Sequence, residues 1–131
     1  PESIRWLRQA AVKGHTSARV YMAGLLLRGE IQGLNAQQVA ETATWINDEA
    51  LRGGKQAQFY MGLMTARGVG VQPDAAEAYF WFELAAKQNV APAASGRELL
   101  AEQLTTAQVK QARDRAAQFK PVAPPVAPPR R

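Results

Sequence analysis

Apolar residues recur along the chain at helical spacing. Ala18, Met22, Leu25 and Leu26 stand at i, i+4, i+7 and i+8, and Ala57, Met61 and Met64 repeat the stripe, which marks one buried helix face in each case. This element is termed helix A. A glycine-containing turn follows, and then Asn35 or Asp74 three residues ahead of Gln38 or Glu77, the spacing of a capping box opening a second helix, helix B. Helix B carries a tryptophan and small residues: Ala78, Ala85 and Ala86 let neighbours approach closely, while Trp81, Phe82 and Leu84 fill the space between them. No strand alternation competes, because the valines are scattered and Ala, Gln, Glu, Arg and Leu dominate.

The two-helix unit is repeated. Displacing the sequence by 39 positions pairs Trp6 with Trp45, Ala11 with Ala50, Gly14 with Gly53, Ala18 with Ala57, Tyr21 with Tyr60, Met22 with Met61, Arg28 with Arg67 and Gly29 with Gly68. These are eight identities in the 24 positions from 6 to 29, where average composition gives roughly one or two. A displacement of 36 then pairs Ala40 with Ala76, Glu41 with Glu77, Trp45 with Trp81 and Ala50 with Ala86. The difference falls in the connection GEIQGLNAQ, longer than GVGVQPD, and insertions between elements are what stacked repeats tolerate.

The stretch ARGVGVQPDAAEAYFWF (66–82) has the two glycines of a phosphate-cradling loop. A dinucleotide fingerprint needs a third glycine where Pro73 stands and must follow a strand, and a P-loop needs a Lys-Ser or Lys-Thr pair that is missing. The glycines therefore read as a turn: Gly68 ends helix A in a left-handed conformation, Gly70 shapes the turn, and Pro73 and Asp74 start helix B.

Composition narrows the chemistry. The 131 residues, 47% of them hydrophobic, suffice for one domain. Cysteine is absent, which excludes disulfides, thiolate nucleophiles and cysteine-bound metals, and His15 is the single histidine. The longest apolar run, YMAGLLL (21–27), is far below the roughly 20 residues of a membrane span, so a soluble chain is expected. The chain begins at Pro1, and a removed export signal or trimming is expected upstream; the first would make the protein exported or periplasmic in a bacterium, the second leaves it cytoplasmic. The net charge of +5 gathers at both ends: Arg5, Arg8, Lys13, Arg19 and Arg28 toward the start, Lys110, Arg113, Arg115, Lys120, Arg130 and Arg131 toward the end. Such ends attract nucleic acid, anionic polymers or acidic proteins, but no reading motif accompanies them.

The unit AQFYMGLMTARGVGVQPDAAEAYFWFELAAKQN (57–89) resembles the Sel-one-like repeats, helical relatives of the tetratricopeptide repeats, in its order of alanine, large apolar residue, glycine, Gly-x-Gly-Val, Asp, Ala, Trp and Ala-Ala. The unit at 18–54 is diverged: its turn reads RGEIQGLN, and Thr42 stands where alanine is expected. Residues 3–14 look like a helix B with no helix A before it, and 91–119 keep a helical pair, with Thr105 and Gln108 as a capping box, that suits a terminal cap. The expected organisation is an all-α, right-handed α/α solenoid over 1–120, with repeats at about 18–54 and 55–89, and a Pro-rich tail at 121–131. About seven helices are expected, with Trp6, Trp45 and Trp81 at equivalent buried positions. The tail, PVAPPVAPPRR, lacks the apolar side chains to offset ordering entropy and reads as a polyproline spacer that leaves stability unchanged on deletion.

The resemblance implies a non-catalytic adaptor or scaffold, of a kind found in exported bacterial proteins and assembly complexes, that binds a partner protein or peptide on its inner face and needs no cofactor or metal. A basic module docking on nucleic acid or an anionic envelope polymer is the alternative, with nucleic acid the less favoured partner. No small-molecule substrate is expected. His15 and Ser17 flank a helix boundary where a polar cap is their ordinary role, and Glu98 and Glu102 share a helix face beside Arg97, without the setting that acid and base chemistry requires. With the core stripe assigned, Tyr21 and Arg28, like Tyr60 and Arg67, fall on an adjacent stripe of helix A. Helix A lines the concave side in the family, so these four residues form a candidate binding row, with Leu27, Leu63 and Ala66 as its floor.

Overall fold

The computed structural model describes residues 2–122, with side chains from residue 4 on. The tail beyond Val122 lies outside the described residues. Seven α-helices follow one another: α1 (Glu2–Val12), α2 (Thr16–Leu27), α3 (Ala36–Leu51), α4 (Lys55–Arg67), α5 (Ala75–Lys87), α6 (Ala91–Ala101) and α7 (Thr106–Ala117), with no strand among the described residues. Helices α2, α4 and α6 are type A, and α1, α3, α5 and α7 type B. Each A helix packs on the B helix before it, α2 and α4 also on the B helix after them, and α2 lies against α4. This is a helical solenoid.

Helix boundaries follow local chemistry. The Asn35 and Thr105 side chains accept from the amides of Gln38 and Gln108, whose side chains accept from the cap amides in return, so both capping boxes close. At Asp74 only half the box forms: its carboxylate accepts from the Glu77 amide at 3.1 Å, while the Glu77 carboxylate pairs with Arg115 of α7 instead. At the start of α2, His15 occupies the N-cap but makes no side-chain capping bond, so the capping role expected there is absent. Gly68 and Gly70 both sit at φ +74, a conformation open to glycine. Gly70 is further constrained, because a Cβ there would approach the Val39 carbonyl to 2.8 Å and Ala43 to 2.9 Å where the turn rests on α3. The three-residue difference between the units lies in helix B itself, 16 residues in α3 against 13 in α5, and not in the connection before it as the sequence suggested, because the caps Asn35 and Asp74 keep the displacement of 39. The α2–α3 connection buries Ile31 against Ala11, Ala18 and Met22.

The main core lies around α5, whose residues 78–85 are all buried. Phe82 is wedged between α4 and α6 at two helical glycines, Gly62 and Gly96. Trp81 is 2% exposed and meets Phe80 and Phe119 edge-on at 4.9 and 6.5 Å. The tryptophans are not equivalent in burial, contrary to the sequence expectation. Trp45 is half-buried in the smaller cluster under the Arg19 guanidinium at 5.8 Å, and Trp6 is 69% exposed. The physical reason is position in the stack: Trp81 is closed over by the segment that leaves α7, whereas nothing among the described residues covers that side of α1. The start of the tail also departs from expectation. The Val122 amide donates to the Leu51 carbonyl at 2.7 Å, one of the free carbonyls ending α3. Pro121 sits over Gly53, where φ is +96 and a Cβ would lie 3.3 Å from the proline ring.

Candidate interaction surface

Side by side, α2 and α4 bring Tyr60 to Arg28 and Arg67 to the end of α2, while Tyr21 is exposed on α2 with no contact to the other three among the described residues. The Arg67 Nη1 donates to the Leu27 carbonyl at 3.1 Å, so the arginine of one unit satisfies the C-terminal backbone of the preceding A helix. Tyr60 leans over Gly24, where a Cβ would stand 2.9 Å from its hydroxyl and 3.1 Å from Arg28 Nη1. The glycine thus admits Tyr60 and Arg28 to one spot. Arg28 also donates from Nε to Glu30 at 2.9 Å. That hydrogen bond, with a lesser contribution from the Tyr60 hydroxyl, raises the guanidinium above its ordinary pKa. Tyr21, Arg28 and Arg67 are exposed, while Tyr60, Leu27, Leu63 and Ala66 are half-buried against the core. The surface offers aromatic faces, guanidinium donors and one carboxylate.

The connections that follow α2 and α4, with the start of α3, frame a shallow cleft of mixed polarity lined by Leu34, Val39, Ala40, Gly70, Val71 and Gln72. A narrower cleft between the start of α5 and α7 is polar, with Asp74, Glu77, Gln108, Gln111 and Arg115. His15 and Ser17 are exposed at the start of α2, and Glu98 and Glu102 are exposed on α6. No group of three or more acidic or histidine side chains is placed to hold a metal ion among the described residues. No described helix is long and apolar enough to cross a membrane.

What the sequence reading missed is the polar network that locks α1, α2 and α3 together. Glu49, buried on α3, accepts from Thr16 Oγ1 at 2.9 Å, Arg19 Nη1 at 3.0 Å and Arg52 Nη1 at 3.3 Å. Arg19 also donates from Nε to the Ala11 carbonyl at 2.9 Å. In the next unit Gln58 takes the Arg19 position and donates to the Ala50 carbonyl at 3.3 Å, with Gln88 bonded to Gln58 and to Gly53. The Ala11–Ala50 pairing was in the sequence, but a polar side chain reaching a helix end eight residues back leaves no periodic mark. Thr42, the departure from alanine, is accommodated because its hydroxyl donates to the Gln38 carbonyl at 2.9 Å.

Comparisons with known proteins agree with this architecture. The family model of the Sel1 repeat matches residues 1–15 and 55–90, leaving the diverged middle unit outside. Chitin synthase regulatory factor 3 of Schizosaccharomyces pombe is 32% identical over 87 residues, which are 66% of this chain and 9% of the yeast protein. Among solved structures, a protective antigen of uropathogenic Escherichia coli with an SLR fold superimposes with a TM-score of 0.73 at 29% identity, over 88% of this chain and 24% of that one. The chain therefore spans under a tenth of the yeast relative and about a quarter of the bacterial one. Stacked two-helix units, the glycine turn at 68–70 and these matches together make the protein a member of the Sel1-like repeat family.

Proposed function

We propose that the protein is a non-catalytic interaction module, an adaptor or scaffold, that grips a partner protein or peptide along the row Tyr21, Arg28, Tyr60 and Arg67 on the concave side of the solenoid, over a floor of Leu27 and Leu63. The carrying observation is the seam between α2 and α4, where Tyr60 and Arg28 converge over Gly24 and Arg67 bridges to Leu27, leaving Tyr21 and the guanidinium edges in solvent. Tyrosine and arginine hold much of the binding energy at protein interfaces because each combines a large contact area with directional donors. Sel1 repeats support protein partners, and the name of the yeast relative, a regulatory factor, fits an adaptor role.

The test uses a partner isolated with the full chain, purified and titrated against variants. Tyr21→Ala with Arg67→Glu changes two exposed positions and keeps Tyr60 packed. The expected weakening is about 30-fold or more, on the order of 2 kcal/mol. Unchanged affinity in a folded double variant rules this face out.

A further inference from the structure

Helices α1 and α6 each expose an apolar residue whose counterpart on the inner helices is covered, and the charged side chains directly beside these two stripes are of opposite sign. On α1, Ile4, Leu7 and Ala11 turn toward the small core. The other side carries Arg5, Gln9, Val12 and Lys13 at i, i+4, i+7 and i+8, with Trp6 alongside, a continuous stripe facing solvent. Trp45 and Trp81, at the equivalent place, are covered by Arg19 and by Phe119. Among the described side chains, neither Arg5 nor Lys13 is within ion-pair distance of a carboxylate.

At the other end, Ala93 and Leu100 of α6 take the buried places of Ala57 and Met64 on α4. That puts Leu99 at the place of Leu63, which packs against the core. Leu99 is instead 65% exposed and is flanked by Glu98 and Glu102, both exposed and also without an ion pair among the described side chains. Helices α6 and α7 pack on α5 rather than on each other, which leaves the outer side of α6 open. Both α1 and α6 are 11 residues long, about 16 Å each.

We infer that the protein associates head to tail with a second copy of itself, α1 of one copy lying along α6 of the next. Arg5 and Lys13 face Glu98 and Glu102, and Trp6 and Val12 cover Leu99. Charge selects this arrangement over a symmetric one: α1 against α1 sets cations on cations, and α6 against α6 sets carboxylates on carboxylates, whereas α1 against α6 matches sign and length. Such a contact is heterologous, so each added copy leaves one head and one tail free and the species grow as short chains.

The experiment is sedimentation velocity of the full chain between about 10 μM and 1 mM, the range of a small, charge-assisted contact. The expected result is a mass that rises above the monomer with concentration, accompanied by a blue shift of tryptophan emission as Trp6 leaves water. Two double variants, Arg5→Glu with Lys13→Glu and Glu98→Lys with Glu102→Lys, each set like charges at the contact and should weaken self-association at least about tenfold with melting unchanged. Mixing the two restores association, because the acidic α6 of the first meets the basic α1 of the second. A wild-type chain monomeric throughout the range, reversed variants that associate like the wild type, or a mixture that stays monomeric would each overturn the inference, leaving the stripes to other occupants.

Discussion

Replacing Gly62 with alanine sets two well-measured effects against each other. Gly62 lies in the middle of α4 with ordinary helical backbone angles, so helix propensity alone favours alanine by about 1 kcal/mol. The structure says the opposite. A Cβ at Gly62 would stand 2.5 Å from Cδ1 and 2.6 Å from Cε1 of Phe82, positions no real methyl adopts. The ring has nowhere to retreat, because its other edge lies against Gly96, where a Cβ would be 2.9 Å from Cε2. Overpacking of this kind costs about 1–3 kcal/mol, and with the ring held from both sides the upper end applies. The net expectation is a loss of about 1–2 kcal/mol, or roughly 3–8 °C in a domain of this size. Thermal and urea unfolding followed by far-ultraviolet circular dichroism measure it. Phe82→Leu on the Gly62→Ala background should recover about 1 kcal/mol relative to the sum of the single changes. Gly24→Ala is the control: its Cβ meets the Tyr60 hydroxyl and an Arg28 nitrogen, ends of side chains that can shift, so little or no loss is expected. A Gly62→Ala protein as stable as the wild type would refute the wedge.

Trp81→Ala should cost about 3–5 kcal/mol, while Trp6→Ala, exposed on α1, stays within about 0.5 kcal/mol in dilute solution; chemical denaturation separates them, and equal effects would show that the two sites share an environment. Glu49→Ala strips Arg19 of its carboxylate in a site where their side chains are 11% and 4% exposed. Partial access to water limits the loss to about 2–4 kcal/mol, and amide exchange should rise at the junction of α1, α2 and α3 before it rises elsewhere. Ending the chain at Lys120 removes the Val122–Leu51 hydrogen bond and the Pro121 contact and should lower stability by about 1 kcal/mol in calorimetry; ending it after Val122 should not.

Local chemistry made much of this fold legible in the sequence. Helical spacing in Ala18, Met22, Ala57, Met61 and Met64, the caps at Asn35, Asp74 and Thr105, and the positive-φ glycines at 68 and 70 are decided within a few residues of themselves. The displacement of 39 places α2 and α4 in equivalent units, so Tyr21 and Tyr60, like Arg28 and Arg67, were legible as equivalent positions. What the sequence could not contain is which neighbour covers each position. Trp6, Trp45 and Trp81 are identical letters in one register, yet their burial depends on whether Arg19 or Phe119 arrives from another helix. The same holds for Glu77, which reads as half of a capping box until α7 brings Arg115 within 3.1 Å. Glu49 is one carboxylate among many until the folding of α2 onto α3 gathers Thr16, Arg19 and Arg52 around it. Periodicity reports the face a residue turns; desolvation and pairing are properties of whatever meets that face, and only the packed chain determines them.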